Sequence, residues 1–232
     1  MRLIHIQNAD GPLQLSLRDF IGSEDERPPY AILSHRWRDE EVLFPDMTGD
    51  HDVARKKKGY LKLEACCKVA LQHDLLYVWC DTCCIDKTSS ADLSEAINSM
   101  YSYYAKSKLC IAFLDDVEGA SEADLDLSCA VWFTRGWTLQ ELIASPSLQF
   151  YSRDWEKLGS KASLCRQIAH FSGISESILN GAALSQVCVS EKMSWAARRN
   201  TTRPEDRAYS LMGLFHVHMT PLYVGKLVEK TS

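Results

Sequence analysis

Long hydrophobic runs and an excess of positive charge are both missing from this sequence of 232 residues. No stretch approaches the roughly 20 apolar residues of a membrane-spanning helix, and the first eight residues turn polar too early for a signal peptide. The 26 basic and 31 acidic side chains give a net charge of −5. That balance argues against a nucleic-acid-binding face, but it allows a small anion held by one or two arginines. We expect a cytoplasmic protein that binds neither membrane nor nucleic acid.

Three common catalytic motifs are also absent. The sequence has no G-x-G-x-x-G, no G-x-x-x-x-G-K-[ST] and no G-x-S-x-G. These absences exclude a classical dinucleotide fingerprint, a P-loop and the nucleophile elbow of an α/β-hydrolase. There is no internal repeat and no low-complexity linker, while six Trp, nine Tyr and seven Phe supply ample apolar surface for a core. Disorder is therefore excluded as the main state.

Cysteine is abundant, with nine residues. The odd number and the chain length disfavour a disulfide scaffold, and most of the cysteines lie in apolar patterns, as buried free thiols do. The pair Cys80-x-x-Cys83 lacks a second pair to complete a zinc site, and it does not open a helix as a redox pair would. Cys80 with His35 could act as a thiol and its base, but no third orienting residue is obvious. We expect no metal site and no cofactor.

Alternating apolar segments predict an α/β fold. Short strand-like runs at 30–34, 75–80, 109–114 and 148–151 alternate with helical patterns at 60–74, after Ser89 or Ser90, and at 138–144. This order is typical of a parallel sheet covered by helices on both faces. Turn composition predicts loops at 21–29 and 45–59. After residue 155 the pattern favours helices only, so we divide the chain into a core, 1–154, and a helical extension packed on it, 155–232.

Unusual polar and aromatic residues follow the predicted strands. In a parallel sheet the carboxyl ends of the strands meet at one edge, where ligands bind. Residues 34–37, 80–87 and 132–137 would gather there and form a cleft suited to a nucleotide-sized ligand, although the tryptophans could instead fill the core. Glu141 is the sharpest candidate, because it shares a helix face with Trp137 and a large aromatic neighbour can perturb a carboxylate. The alternative is an ordinary solvated helix glutamate.

Three ordered blocks resemble the signature blocks of the fungal HET (heterokaryon incompatibility) domain. They read YAILSHRW at 30–37, YVWCDTCCID at 77–86 and WFTRGWTLQE at 132–141. A fourth block, 203–215, is also similar to the family. One departure lies near the end, where Pro221-Leu-Tyr is followed by Val-Gly-Lys instead of the Gly-Glu-Gly that is frequent in the family. Together the blocks span residues 30 to 223.

Membership of this family would imply a role in cell death. HET domains trigger death when incompatible fungal individuals fuse, usually as the effector part of a larger protein with a receptor or NLR-type domain. They resemble TIR domains at a distance, which implies a TIR-like (flavodoxin-like) parallel sheet of four to five strands, activation by self-association and NAD⁺ as substrate. By position, Glu141 corresponds to the glutamate that cleaves NAD⁺ in enzymatic TIR domains. The alternative is a non-enzymatic adaptor that uses the same blocks as an oligomer interface.

The resemblance also assigns roles around the substrate. Arg36 would hold the diphosphate or orient its loop, Trp37 or Trp137 would stack on a ring, and Asp81 would bond a ribose or hold the second loop. The complete expected substrate-binding set is Ser34, His35, Arg36, Trp37, Asp81, Thr82, Cys83, Trp132, Arg135 and Trp137.

Overall fold

The structure is a computed structural model that describes residues 1–7, 13–22, 26–49, 51–119 and 125–223. Within those ranges, seven strands form one sheet in the order β2-β1-β4-β3-β5-β6-β7. Their bounds are β1 Arg2–Gln7, β2 Gln14–Asp19, β3 Ala31–His35, β4 Tyr77–Trp79, β5 Leu109–Phe113, β6 Leu148–Tyr151 and β7 Lys157–Ser160.

The four predicted apolar runs become the parallel centre of the sheet. β3 pairs with β4 and β5, and β5 pairs with β6, all in parallel. Every residue of β3 and β5 is buried, because helices cover both faces of the sheet and leave no room for alternation with polar residues. The α/β class is confirmed.

The predicted count of four to five strands is too low for the described chain, and the sheet is mixed. β1 and β2 form an antiparallel hairpin, with β1 beside β4, and β7 runs antiparallel to β6. The alternation of Leu15 and Leu17 with polar residues in β2 was the available signal for the hairpin. The expectation of helices only after residue 155 is also wrong, since β7 lies there.

Helices flank the sheet and fill the second part of the chain. The bounds are α1 Phe44–Thr48, α2 His51–Arg55, α3 Lys58–Leu71, α4 Ser90–Lys106, α5 Thr138–Ala144, α6 Cys165–Ser172, α7 Glu176–Leu179, α8 Val189–Ala196 and α9 Asp206–Tyr209. Ser89 caps α4, which begins where the helical pattern after Ser89 or Ser90 predicts, because the Ser89 hydroxyl accepts a hydrogen bond from the Asp92 amide at 3.3 Å. α5 occupies the predicted residues and ends before Pro146.

The predicted loop at 45–59 is wrong, because it holds α1, α2 and the start of α3. Pro45 lies in the first turn of α1, where a helix has no need of the missing amide proton. The proline therefore marks a helix start. The other predicted loop, 21–29, lies partly outside the described residues, which omit 23–25.

The late helices share one hydrophobic core with the sheet. Ile168 of α6, Leu179 of α7 and Trp195 of α8 belong to the same buried cluster as the strands. Lys192 adds a hydrogen bond between two late segments, since its ammonium donates to the Leu214 carbonyl at 3.0 Å. The late helices therefore pack on the sheet through apolar contact, while the division at residue 154 stays a prediction.

The nine cysteines all lie in the described ranges and are free thiols, seven of them buried. In the same ranges, no helix combines the length and the apolar character that crossing a membrane requires.

Candidate active site

A cleft with a cavity of about 400 Å³ opens at the carboxyl ends of β3 and β4. α4 supplies an apolar wall, α5 supplies Glu141, and a late segment around 200–206 closes the outer side. The lining residues are His35, Trp37, Asp81, Ile85, Lys87, Leu93, Ile97, Met100, Tyr104, Arg135, Gly136, Trp137, Glu141, Asn200, Thr201, Thr202, Arg203, Asp206 and Tyr223.

Glu141 is held from below by a chain of buried hydrogen bonds. The indole Nε1 of Trp132 donates to Ser34 Oγ at 2.7 Å, and the Ser34 hydroxyl donates to Glu141 Oε2. Ser34 is fully buried near the end of β3, and Glu141 keeps only 8% of its surface exposed. The carboxyl group is therefore fixed in place at the floor of the cleft.

Burial raises the pKa of Glu141 to about 7. The hydrogen bond from Ser34 opposes this rise, the negative charge of Asp81 adds to it, and Arg135 opposes it. A carboxyl group with this pKa exchanges its proton near neutral pH, as groups in catalytic sites often do.

The second wall is organised around Asp81. Its Oδ1 lies 3.1 Å from His35 Nε2, and its Oδ2 accepts a hydrogen bond from Trp37 Nε1 at 2.9 Å. The Lys87 ammonium lies 3.5 Å from the centre of the Trp37 ring and is buried without a hydrogen-bond partner. Burial lowers the pKa of Lys87. An unsatisfied cation in a cleft is suited to an anionic ligand group such as a phosphate.

Cys80 lies next to His35 of this wall. Its Sγ lies 3.9 Å from His35 Nε2 and 3.1 Å from Thr82 Oγ1. Burial alone would lower the pKa of His35, but negative charge at Cys80 and the bond to Asp81 outweigh it and raise the pKa to about 9.

The outer wall comes from the late part of the chain. The Arg203 guanidinium lies 4.6 Å from the centre of the Tyr223 ring, and the Tyr223 hydroxyl donates to Asp206 at 2.8 Å. This wall is tied to the loop before α5, because the Gly136 amide donates to the Asn200 carbonyl at 2.8 Å. A Cβ at Gly136 would lie 2.5 Å from the Thr201 side chain, so only glycine allows this approach.

The family described as heterokaryon incompatibility protein (HET) matches residues 30–127. The chain belongs to the HET family. It is 45% identical over 212 residues to the vegetative incompatibility protein HET-E-1 of Podospora anserina, and the alignment covers 88% of this chain but 15% of that relative. No solved structure matches the chain.

The cleft of this HET domain brings together much of the predicted site. Of the predicted residues, Ser34 and Trp132 lie beneath the cleft: Ser34 donates a hydrogen bond to Glu141, and Trp132 donates one to Ser34. Those that line the cavity are His35, Trp37, Asp81, Arg135, Trp137 and Glu141.

Three predicted residues do not line the cavity. Arg36 forms an ion pair with Asp115 at 3.1 Å, an arrangement that orients the loop after β3. Thr82 and Cys83 are buried behind the second wall. None of the three is among the residues that line the cleft.

Sequence reasoning missed several lining residues. Lys87 lies in the strand-end segment 80–87 that the sequence singled out, but it was not named among the expected substrate-binding residues. Tyr104 lies on α4 rather than at a strand end, so the position of the strands did not indicate it. Arg203 and Asp206 lie in the fourth family-like block, which was the available signal that the late segment contributes to the site, and Tyr223 lies beyond that block.

Proposed function

We propose that this HET domain is the cell-death effector part of a longer incompatibility protein and that it hydrolyses NAD⁺ at the nicotinamide–ribose bond. The observation that carries the proposal is the buried Glu141 carboxyl, held by Ser34 and Trp132 at the floor of a cavity of about 400 Å³. The name of the Podospora relative supports the incompatibility role, and the small share of it that aligns supports a longer parent protein.

The proposed reaction needs little from the protein beyond charge and position. Nicotinamide leaves a cationic pyridinium as a neutral molecule, so no proton donor is required. Water then adds to the ribose carbon, and the products are nicotinamide, ADP-ribose and a proton. The transition state carries positive charge on the ribose, as in other glycosidic cleavages. Ionised Glu141 would orient the ribose hydroxyls and stabilise that charge.

The rest of the cleft suits the remaining parts of NAD⁺. Lys87 and Arg203 would contact the diphosphate, while Trp37, Trp137 and Tyr223 offer aromatic faces to the rings. The cavity volume lies in the usual range of small-molecule sites. Activation by self-association, a cytoplasmic location and a TIR-like relationship belong to the same proposal. The parallel strands β3 to β6 support that relationship, and an enzyme activated by self-association should gain specific activity with its own concentration.

The decisive experiment compares NAD⁺ consumption and nicotinamide release by the wild-type chain, Glu141→Gln and Glu191→Gln at high protein concentration. Gln keeps the shape of residue 141 but cannot carry the charge, so turnover should fall by at least about 100-fold. Glu191 is exposed on α8, and its variant should match the wild type.

Retained turnover in Glu141→Gln would overturn the catalytic role. If the wild type does not consume NAD⁺ even when it is clustered artificially, and Glu141→Gln still kills cells, the domain is a non-enzymatic adaptor.

A further inference from the structure

A second cluster in the same cleft is not used by the proposed hydrolysis. His35 Nε2, Cys80 Sγ and Asp81 Oδ1 all lie within 4.8 Å of one another. The sequence suggested Cys80 and Cys83 as a pair and Cys80 with His35 as a thiol and its base, and the fold adds the Asp81 carboxylate to the second of these pairs.

The arrangement does not fit a catalytic relay. In a thiol–imidazole–carboxylate relay, the nucleophile and the acid bind opposite nitrogens of the ring. Here Asp81 Oδ1 at 3.1 Å and Cys80 Sγ at 3.9 Å both approach Nε2, and Nδ1 is buried without a partner. One proton on Nε2 can form a good bond with only one of them. Three electron-pair donors that converge on one point are arranged as metal ligands are.

The geometry points to a divalent metal site, with Zn²⁺ as the ion, bound by His35, Cys80 and Asp81. These are three of the ligand types that Zn²⁺ takes, and its bond lengths place neighbouring ligand atoms about 3.3 to 3.7 Å apart. The two separations from His35 Nε2, 3.1 and 3.9 Å, bracket that range, and the third pair, Cys80 Sγ and Asp81 Oδ1, lies within 4.8 Å. Because His35 and Asp81 line the cavity, a fourth position faces the cleft and is open to water, as in other three-ligand zinc sites.

Neighbouring groups hold two of the three ligands in orientation. Trp37 Nε1 donates to Asp81 Oδ2 at 2.9 Å, which leaves Oδ1 for the ion. Thr82 Oγ1 lies 3.1 Å from Cys80 Sγ. Such outer contacts fix ligand direction in metal sites. The nearby Lys87 ammonium is positively charged, as the ion is, so it should weaken metal binding. Its removal should therefore raise the affinity for the metal.

Metal binding is tested in a chain that carries Cys129→Ser and Cys188→Ser, because those two cysteines are exposed and could bind metal at the surface. Zn²⁺ is titrated against a chromophoric chelator, and Co²⁺ is added separately to read the thiolate-to-cobalt charge-transfer band. We expect one equivalent of each ion, the band, and a rise in melting temperature with Zn²⁺. Loss of an outer contact alone costs about 10- to 100-fold in affinity, so Cys80→Ser and His35→Gln should each cost at least about 100-fold.

The matched control is Cys165→Ser, which removes a buried thiol from α6 and should leave affinity and band unchanged. Lys87→Gln should bind Zn²⁺ several-fold more tightly. Absence of the cobalt band in the parent chain would overturn the proposal whether or not the variants fold. Equal zinc affinity in the parent and in folded Cys80→Ser would also overturn it. Neither readout depends on NAD⁺ turnover, so this inference and the proposed hydrolysis fail or succeed separately.

Discussion

Two edges of the sheet carry cavities of similar volume, but the buried lysine in each cavity differs in its hydrogen bonding. The cleft at the carboxyl ends of the parallel strands measures about 400 Å³, and a second cavity at the amino end of β6 measures about 370 Å³. In the second, buried Lys161 donates to the carbonyls of Leu142 and Ser145, where α5 ends. In the first, the Lys87 ammonium has no hydrogen-bond partner.

The two lysines differ in whether the protein itself satisfies their charge. Lys161 satisfies carbonyls that the end of α5 leaves open, so its charge is matched within the protein. Lys87 and Glu141 lie in a cavity with part of their bonding capacity still available to a ligand. This contrast supports the cavity at the carboxyl ends as the proposed ligand site, while the charge in the opposite cavity is matched by the protein itself.

The largest expected effect is on stability, at the scaffold edge. Lys161→Met removes the donor to two carbonyls and should lower the free energy of unfolding by about 3 kcal/mol, since unsatisfied buried groups cost about 1 to 3 kcal/mol each. Urea unfolding measures this loss, and Lys157→Met, which changes an exposed lysine of β7, should lose almost nothing. NAD⁺ turnover per folded molecule should stay at the wild-type value. A fall in turnover would show that the two edges are coupled.

Ser34→Ala should act at the functional edge and mainly on activity. It removes the hydrogen bond that positions Glu141 and that lowers its pKa. Hydrogen bonds to charged groups contribute about 2 kcal/mol, so turnover should fall by about 30-fold. The pH midpoint of the remaining activity should move above that of the wild type. Ser145→Ala, at the other edge, is the matched buried serine and should move neither quantity.

The pH dependence of the wild type should follow Glu141. With a pKa of about 7, the ionised fraction and the rate of nicotinamide release should rise about tenfold between pH 6 and pH 8. Stability should change in the opposite direction, because the folded pKa lies above the ordinary 4.5 and the folded state holds the proton longer. The free energy of unfolding should therefore fall as pH rises from about 4.5 to 7 and change little above, relative to Glu141→Gln. A flat difference would contradict the burial of this charge.

Lys87→Gln should have the smallest effect. Loss of one partly buried cation beside an anion costs about 1 kcal/mol, which corresponds to about fivefold weaker binding of ADP-ribose. Calorimetry of ADP-ribose binding measures the change, with exposed Lys56→Gln as the control. An unchanged affinity would place the diphosphate elsewhere in the cleft.

The sequence indicated the centre of the fold well and its borders poorly. Strands β3 to β6 are nearly continuous apolar runs, and α5 ends where Pro146 requires it, so local patterns were sufficient there. The hairpin β1–β2 and the short strand β7 depend on pairing with neighbours, which no local run of residues shows. α1 and α2 were hidden because Pro45 suggested a break.

The site was predictable where chemistry follows a strand. Ser34 and Asp81 were singled out in that way, and Glu141 was singled out because it shares a helix face with Trp137. Tyr104 and Arg203 were not, because their contribution depends on how α4 and the late segment pack over the strand ends. The approach of Cys80 to His35 was suggested by their strand ends, which the parallel pairing of β3 and β4 brings together, but the convergence of Asp81 on the same ring nitrogen has no signature in spacing.

The late segment that closes the cleft also sets an order of events during synthesis. Chains emerge from the ribosome amino end first, and a nascent chain that has reached β6 already contains Glu141 and Asp81. It still lacks Arg203, Asp206 and Tyr223, which form the outer wall. For an effector of cell death, as we propose, unfinished chains would thus have only half of a ligand site. Under the proposed function, the position of these residues in the sequence would keep incomplete copies from forming the whole site before synthesis ends.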